Sequence, residues 1–100
     1  MNVKITRNAA KMLRQELDKE ENKDLIVRVV VTHKHGDHAH YGLGLDTPTD
    51  KDEVVSTDKE IDVLVEKDEP LLDGIKIDYL YMPQEGFVIT NPGKGNHGDH

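Results

Sequence analysis

One hundred residues, with a single Phe and no Trp, suffice for one hydrophobic core and exclude two independent ones. The formal net charge is −7 and the 13 Lys and Arg are scattered, so no basic stripe could neutralise phosphates and nucleic acid is not an expected partner. There is no cysteine, which excludes disulfides, thiolate chemistry and Cys-type zinc or iron–sulfur ligation.

The first residues, Met1 to Thr6, carry no apolar targeting core, and no run approaches membrane-spanning length. A cytosolic domain without a membrane partner is the default expectation. Val3 to Thr6 predicts a short strand or lead-in. The Thr6 hydroxyl is suited to cap a helix, because it can accept an otherwise unpaired backbone N–H. Ala9, Ala10, Met12, Leu13 and Leu17 then recur at helical spacing, with Arg14, Glu16, Lys19 and Glu20 on the other side. This pattern predicts a helix from Ala9 to about Glu20, ending near Glu21–Asn22, with its apolar stripe packed in the core.

From Leu25 the period changes. Leu25 to Thr32 is dominated by Val and Ile, which suit a pleated, buried surface, and predicts a central strand. Tyr41, Leu43 and Leu45 alternate with His40, Gly42, Gly44 and Asp46, predicting a half-buried strand within Ala39–Asp46 that shares its sheet. Asp46 to Glu53, with Pro48 and several charges, reads as a loop. Strands are expected over Glu53–Thr57 and Ile61–Glu66, the latter with Ile61, Val63 and Val65 on one face. Asp68 to Gly74 reads as a single helical turn, with Pro70 near its start and Gly74 past its end. Ile75, Ile77, Tyr79 and Tyr81 alternate again, and Phe87 to Thr90 forms a last short strand. Asn91-Pro92-Gly93 predicts a turn, leaving residues 1–93 as the domain and 94–100 as a flexible Gly- and His-rich tail. The fold class is therefore mostly β (α+β), with one long N-terminal helix.

Four of the six His fall between His33 and His40, in the segment Thr32-His33-Lys34-His35-Gly36-Asp37-His38-Ala39-His40. In an extended chain His33 and His35 project to one side, and His38 and His40 share a side. Neutral imidazoles and a carboxylate at this density are ligands for divalent Zn, Fe, Ni or Cu. His97, Asp99 and His100 in the tail are placed to close a coordination sphere. The competing reading is a polar, His-rich surface loop.

Two resemblances attach to these residues. His33-x-His35-x-Asp37-His38, after an apolar run ending in Thr32, resembles the H-x-H-x-D-H signature of metallo-β-lactamase-fold hydrolases. Those enzymes need further His and Asp ligands from a longer chain, whereas here 62 residues follow His38 and no His stands between His40 and His97. As a whole-domain assignment that resemblance is rejected. The second runs almost end to end. Ile5-Thr6-x-x-Ala9-Ala10-x-x-Leu13, Tyr41-Gly42-Leu43-x-Leu45-Asp46, Gly74-x-x-Ile77-Asp78-Tyr79 and Gly86-Phe87-Val88-x-x-Asn91-Pro92 resemble the HesB/IscA family of A-type iron–sulfur assembly proteins.

This resemblance implies a small twisted β-sandwich with the long helix packed beside it. The family carries one cysteine shortly before the Tyr41-type aromatic and a Cys-Gly-Cys after the Asn-Pro turn. In this chain the first falls at Gly36, and the pair falls at His97 and Asp99, allowing a one-residue gap. His and Asp thus stand where the family's thiolate ligands converge. The resulting expectation is a non-enzymatic metal-binding or metal-handling protein. Its ligands would be His35, His38, His40, His97 and Asp99, with His33, Asp37 and His100 in reserve. Its cofactor would be a divalent Zn, Fe or Ni ion rather than an iron–sulfur cluster, and its assembly a homodimer. The alternatives are a small zinc-dependent hydrolase using Asp37 to orient a metal-bound water, or a metal-free interaction protein.

Overall fold

In a computed structural model of the chain, residues 1–36 and 38–92 are described. The elements follow in the order β1 (Val3–Ile5), α1 (Arg7–Leu17), β2 (Ile26–His35), β3 (His38–Asp46), β4 (Asp52–Ser56), β5 (Asp62–Glu66), β6 (Ile75–Leu80) and β7 (Gly86–Thr90). Single 3-10 turns occur at Glu20–Asn22 and Pro70–Leu72. The strands form two sheets, one ordered β1-β6-β7 and the other β3-β2-β5-β4. The pairs β1–β6 and β2–β5 are parallel, and the remaining pairs are antiparallel.

Alternation decides which side chains meet between the sheets, because successive residues of a strand face opposite ways. Val27 and Val29 of β2, Val63 and Val65 of β5, and Ile75, Ile77 and Tyr79 of β6 are buried in one cluster with Val3 and Ile5. Ala9, Ala10 and Leu13 close it from the helix, as their spacing requires. Leu64, between Val63 and Val65, is also fully buried, so β5 is covered on both faces. The mostly β architecture with one long helix is as the periodicity predicts.

Most strand boundaries shift by a single residue, β6 for example ending at Leu80 without Tyr81, and the two larger differences are at α1 and β2. The helix starts at Arg7, where Thr6 Oγ1 accepts the Ala9 N–H at 3.3 Å and donates to Asp78 Oδ1 at 2.7 Å. It stops at Leu17 rather than near Glu21, because Lys19 is extended (φ −68°, ψ 141°) and the Asn22 side chain donates to the Glu16 carbonyl at 2.8 Å. The same carbonyl accepts the Lys19 N–H at 3.3 Å, and the chain continues as a 3-10 turn. The second difference is β2, which continues past Thr32 to His35 because β3 pairs with it along that whole length.

Candidate metal centre

The strands β2 and β3 form one long antiparallel arm, running from the Ile26–Asp46 pair to the His35–His38 pair. Gly36 leads out of β2 at φ +60°, a left-handed conformation that costs glycine nothing. The ladder is not regular: Val31 pairs with Tyr41 but His33 pairs with His40, so Thr32 is an extra residue in a β-bulge. The Thr32 hydroxyl donates to the His40 carbonyl across the bulge at 3.3 Å.

The bulge decides where the histidines point. Tyr41, Leu43 and Leu45 of β3 pack against the core, so His38, His40, Gly42 and Gly44 lie on the outer face. Residues directly opposite in an antiparallel ladder share a face. His33 opposite His40, and His35 opposite His38, are therefore on that outer face as well. Without the extra residue, His33 and His35 would continue the inward series of Val27, Val29 and Val31. All four imidazoles share one exposed surface.

Within this cluster the Nε2 atoms of His33 and His35 are 2.9 Å apart, and their rings meet edge to face with centroids 4.5 Å apart. The His33 and His40 rings are tilted at a centroid distance of 5.9 Å. Among the described residues, no three His, Asp or Glu side chains converge as a closed metal-binding group. Asp37, His97, Asp99 and His100 lie outside the described residues, as does the proposed flexible tail. Of the expected ligands, His35, His38 and His40 share the face. His33, held in reserve by the sequence reading, supplies the ring in contact with His35.

The inner face of the same arm is tied down by residues that ligand-type reasoning missed. Lys34 Nζ lies 2.5 Å from Glu69 Oε1, and the Glu69 side chain also accepts the Leu71 N–H at 3.3 Å. The hydrogen bond from Lys34 holds the Glu69 carboxyl below its ordinary range, against the opposing effect of burial. Tyr41 Oη donates to the Leu71 carbonyl at 2.9 Å, and burial raises its pKa above the usual phenol value. The buried Asn91 side chain donates to that same carbonyl at 3.0 Å and to the Asp73 carbonyl at 2.8 Å. The histidine arm and the end of β7 are thus fixed to one 3-10 turn. Tyr41 and Asn91 both stand in the motifs that carry the family resemblance, and that was the one available sequence signal for this knot.

No family model and no curated protein matches the sequence. Solved structures do match in fold. The crystal structure of IscA with the [2Fe-2S] cluster is 20% identical, with a TM-score of 0.67 over 91% of this chain and 83% of that one. Escherichia coli SufA, a protein involved in the biosynthesis of iron–sulfur clusters, is 23% identical, with a TM-score of 0.67 over 92% of this chain and 87% of that one. Among the described residues, no helix is long and apolar enough to cross a membrane. The chain therefore has the small, mostly β HesB/IscA-like fold, carried here by a sequence without a single cysteine.

Proposed function

We propose that this chain is a non-enzymatic metal-binding or metal-handling protein, in which histidine and aspartate replace the thiolates of the iron–sulfur assembly proteins that share its fold. The observation that carries this reading is the clustering of His33, His35, His38 and His40 on one face of the β2–β3 arm. That arm encloses Gly36, the position where the HesB/IscA resemblance places a cysteine. A second support is the knot at Leu71. Tyr41 and Asn91 bind one carbonyl there, so Asn91, the residue after β7, is held to the same turn as the strand that carries His38 and His40.

Imidazole nitrogen is a borderline donor, suited to Zn, Ni, Cu and Fe, and the metal is the partner that this site implies. The test is elemental analysis of untagged protein purified without added metal, followed by calorimetric titration of the stripped protein with Zn²⁺ and Ni²⁺. Stoichiometric, micromolar or tighter binding without ester or phosphoester hydrolysis is the expected result. Metal-dependent hydrolysis would replace this reading with an enzymatic one. Binding only in the millimolar range would end it.

A further inference from the structure

We infer that the four outer-face histidines form a tetragonal nitrogen site, selective for Cu²⁺ or Ni²⁺, in which His33 and His35 are the primary chelating pair and the C-terminal residues are not needed. This rests on the metal-binding reading above and adds the ligand set, the geometry and the class of ion. Three observations carry it.

The first is register. The extra residue at Thr32 places His33 and His35 opposite His40 and His38, so two imidazoles from each strand project to one face from the rungs on either side of the Lys34–Ala39 pair. Cβ atoms of directly opposed residues are about 4.5–5.5 Å apart, within reach of a common ion for a side chain as long as histidine.

The second is distance. The Nε2 atoms of His33 and His35 are 2.9 Å apart. Two metal–nitrogen bonds of about 2.05 Å meeting at a right angle span about 2.9 Å, whereas a tetrahedral angle requires about 3.3 Å. In the metal-free chain this contact needs one proton between the two rings, since two lone pairs cannot face each other. A metal ion replaces that proton without moving either strand. His40, whose ring is 5.9 Å from that of His33, and His38, opposite His35, then complete the plane by rotation of exposed side chains.

The third is support from the opposite face. Lys34 is held by Glu69 and Tyr41 by the Leu71 carbonyl, so the arm is anchored through the residues that alternate with the histidines. The backbone spacing of the four imidazoles is then set before metal arrives, and only side-chain freedom is lost on binding.

The experiment uses the full chain and its variants His33→Ala/His35→Ala, His38→Ala/His40→Ala and His97→Ala/Asp99→Ala, each checked by circular dichroism for the native fold. Cu²⁺, Ni²⁺ and Zn²⁺ are titrated calorimetrically, and the Cu²⁺ form is examined by electron paramagnetic resonance. Expected are an axial Cu²⁺ spectrum with coupling to at least three nitrogens, and Ni²⁺ bound more tightly than Zn²⁺. Loss of His33 and His35 should weaken Cu²⁺ at least about 100-fold, loss of His38 and His40 at least about 10-fold, and the tail variant less than about 3-fold. Zn²⁺ preferred over Ni²⁺, a tetrahedrally distorted Cu²⁺ spectrum, or a large tail effect would overturn the tetragonal site while leaving metal binding intact. Binding no tighter than millimolar by the unaltered chain would overturn both readings.

Discussion

Arg28 on β2 and Asp52 at the start of β4 are joined by two parallel hydrogen bonds, of 2.8 Å and 2.6 Å, although β5 lies between their strands. Arg28 Nε also reaches Asp46 at 3.0 Å, while Asp52 accepts the Thr49 N–H at 2.7 Å. With its side chain only 3% exposed, Asp52 is a buried carboxylate whose partners all come from the loop and strand that it fastens. The hydrogen bonds from Arg28, helped by Thr49, hold its carboxyl far below the ordinary range, against burial.

A carboxyl depressed in the folded state stabilises the fold above its unfolded pKa of about 3.9, and that contribution fades as pH falls toward the folded value. Asp52→Asn should therefore cost about 2 kcal/mol at pH 7, the scale of lost charge-assisted hydrogen bonds. The difference from the unaltered chain should shrink steadily below about pH 4. Urea denaturation of both proteins at pH 7 and pH 2.5 measures it, and an equal difference at both pH values would contradict this account.

The second prediction concerns the knot at Leu71. Asn91 is 2% exposed and its amide satisfies two carbonyls, those of Leu71 and Asp73. Its Oδ1 also lies 3.3 Å from where a Cβ would stand on Gly74, which has φ +91°. Asn91→Ala takes the side-chain donor from the Asp73 carbonyl, leaves the Leu71 carbonyl with Tyr41 alone, and empties a buried position, and should destabilise the fold by about 2 kcal/mol. Gly74→Ala should destabilise it as well, through both strain and contact. Chemical denaturation of each variant provides the check, and a change below about 0.5 kcal/mol for Asn91→Ala would refute the role assigned to it.

Tyr79 gives a spectroscopic prediction. Its hydroxyl donates to Glu85 Oε2 at 2.6 Å, and its ring meets Phe87 and Tyr81 edge to face. The bond to Glu85 pushes the phenol up to about 12, with burial acting in the same direction. Ultraviolet titration should show one of the three tyrosines ionising near that value. Glu85→Gln should bring this transition down, because the carboxylate acceptor that favours the neutral phenol is gone. A titration unchanged by Glu85→Gln would show that the bond does not control Tyr79.

Iron–sulfur reconstitution supplies the fourth. Even the His-ligated Rieske cluster retains two cysteines, and this chain has none. Incubation with ferrous iron and sulfide under reducing conditions should give no visible chromophore that survives desalting. A persistent cluster spectrum would require ligation by His and Asp alone and would reverse the assignment of nitrogen in place of sulfur.

Much of this fold was written in local pattern. The change from helical spacing over Ala9–Leu17 to alternation in Ile75–Tyr79 is a direct consequence of which faces must be buried, so the helix and most strands could be read one element at a time. The helix end was misjudged because Lys19 and Glu20 suit a helix as well as a turn. What stopped α1 was a hydrogen bond from Asn22 back to Glu16. Arg28 and Asp52 could not be matched from sequence, since strands that do not pair directly are brought together only by the sheet order β3-β2-β5-β4.

By itself the sequence determined that thiolate ligation is absent, that imidazoles crowd Thr32–His40, and that the domain is a small β-rich core with one amphipathic helix. Side-chain parity could say that His33 goes with His35 and His38 with His40, but not how the two pairs face each other. That depended on Thr32 having no opposite residue in β3, and a bulge is a property of two strands in register rather than of either strand alone. Only the tertiary structure put the four rings on one surface, because strand register is set by the inward packing of Val27, Val29, Tyr41 and Leu43, and the outward histidines follow from it.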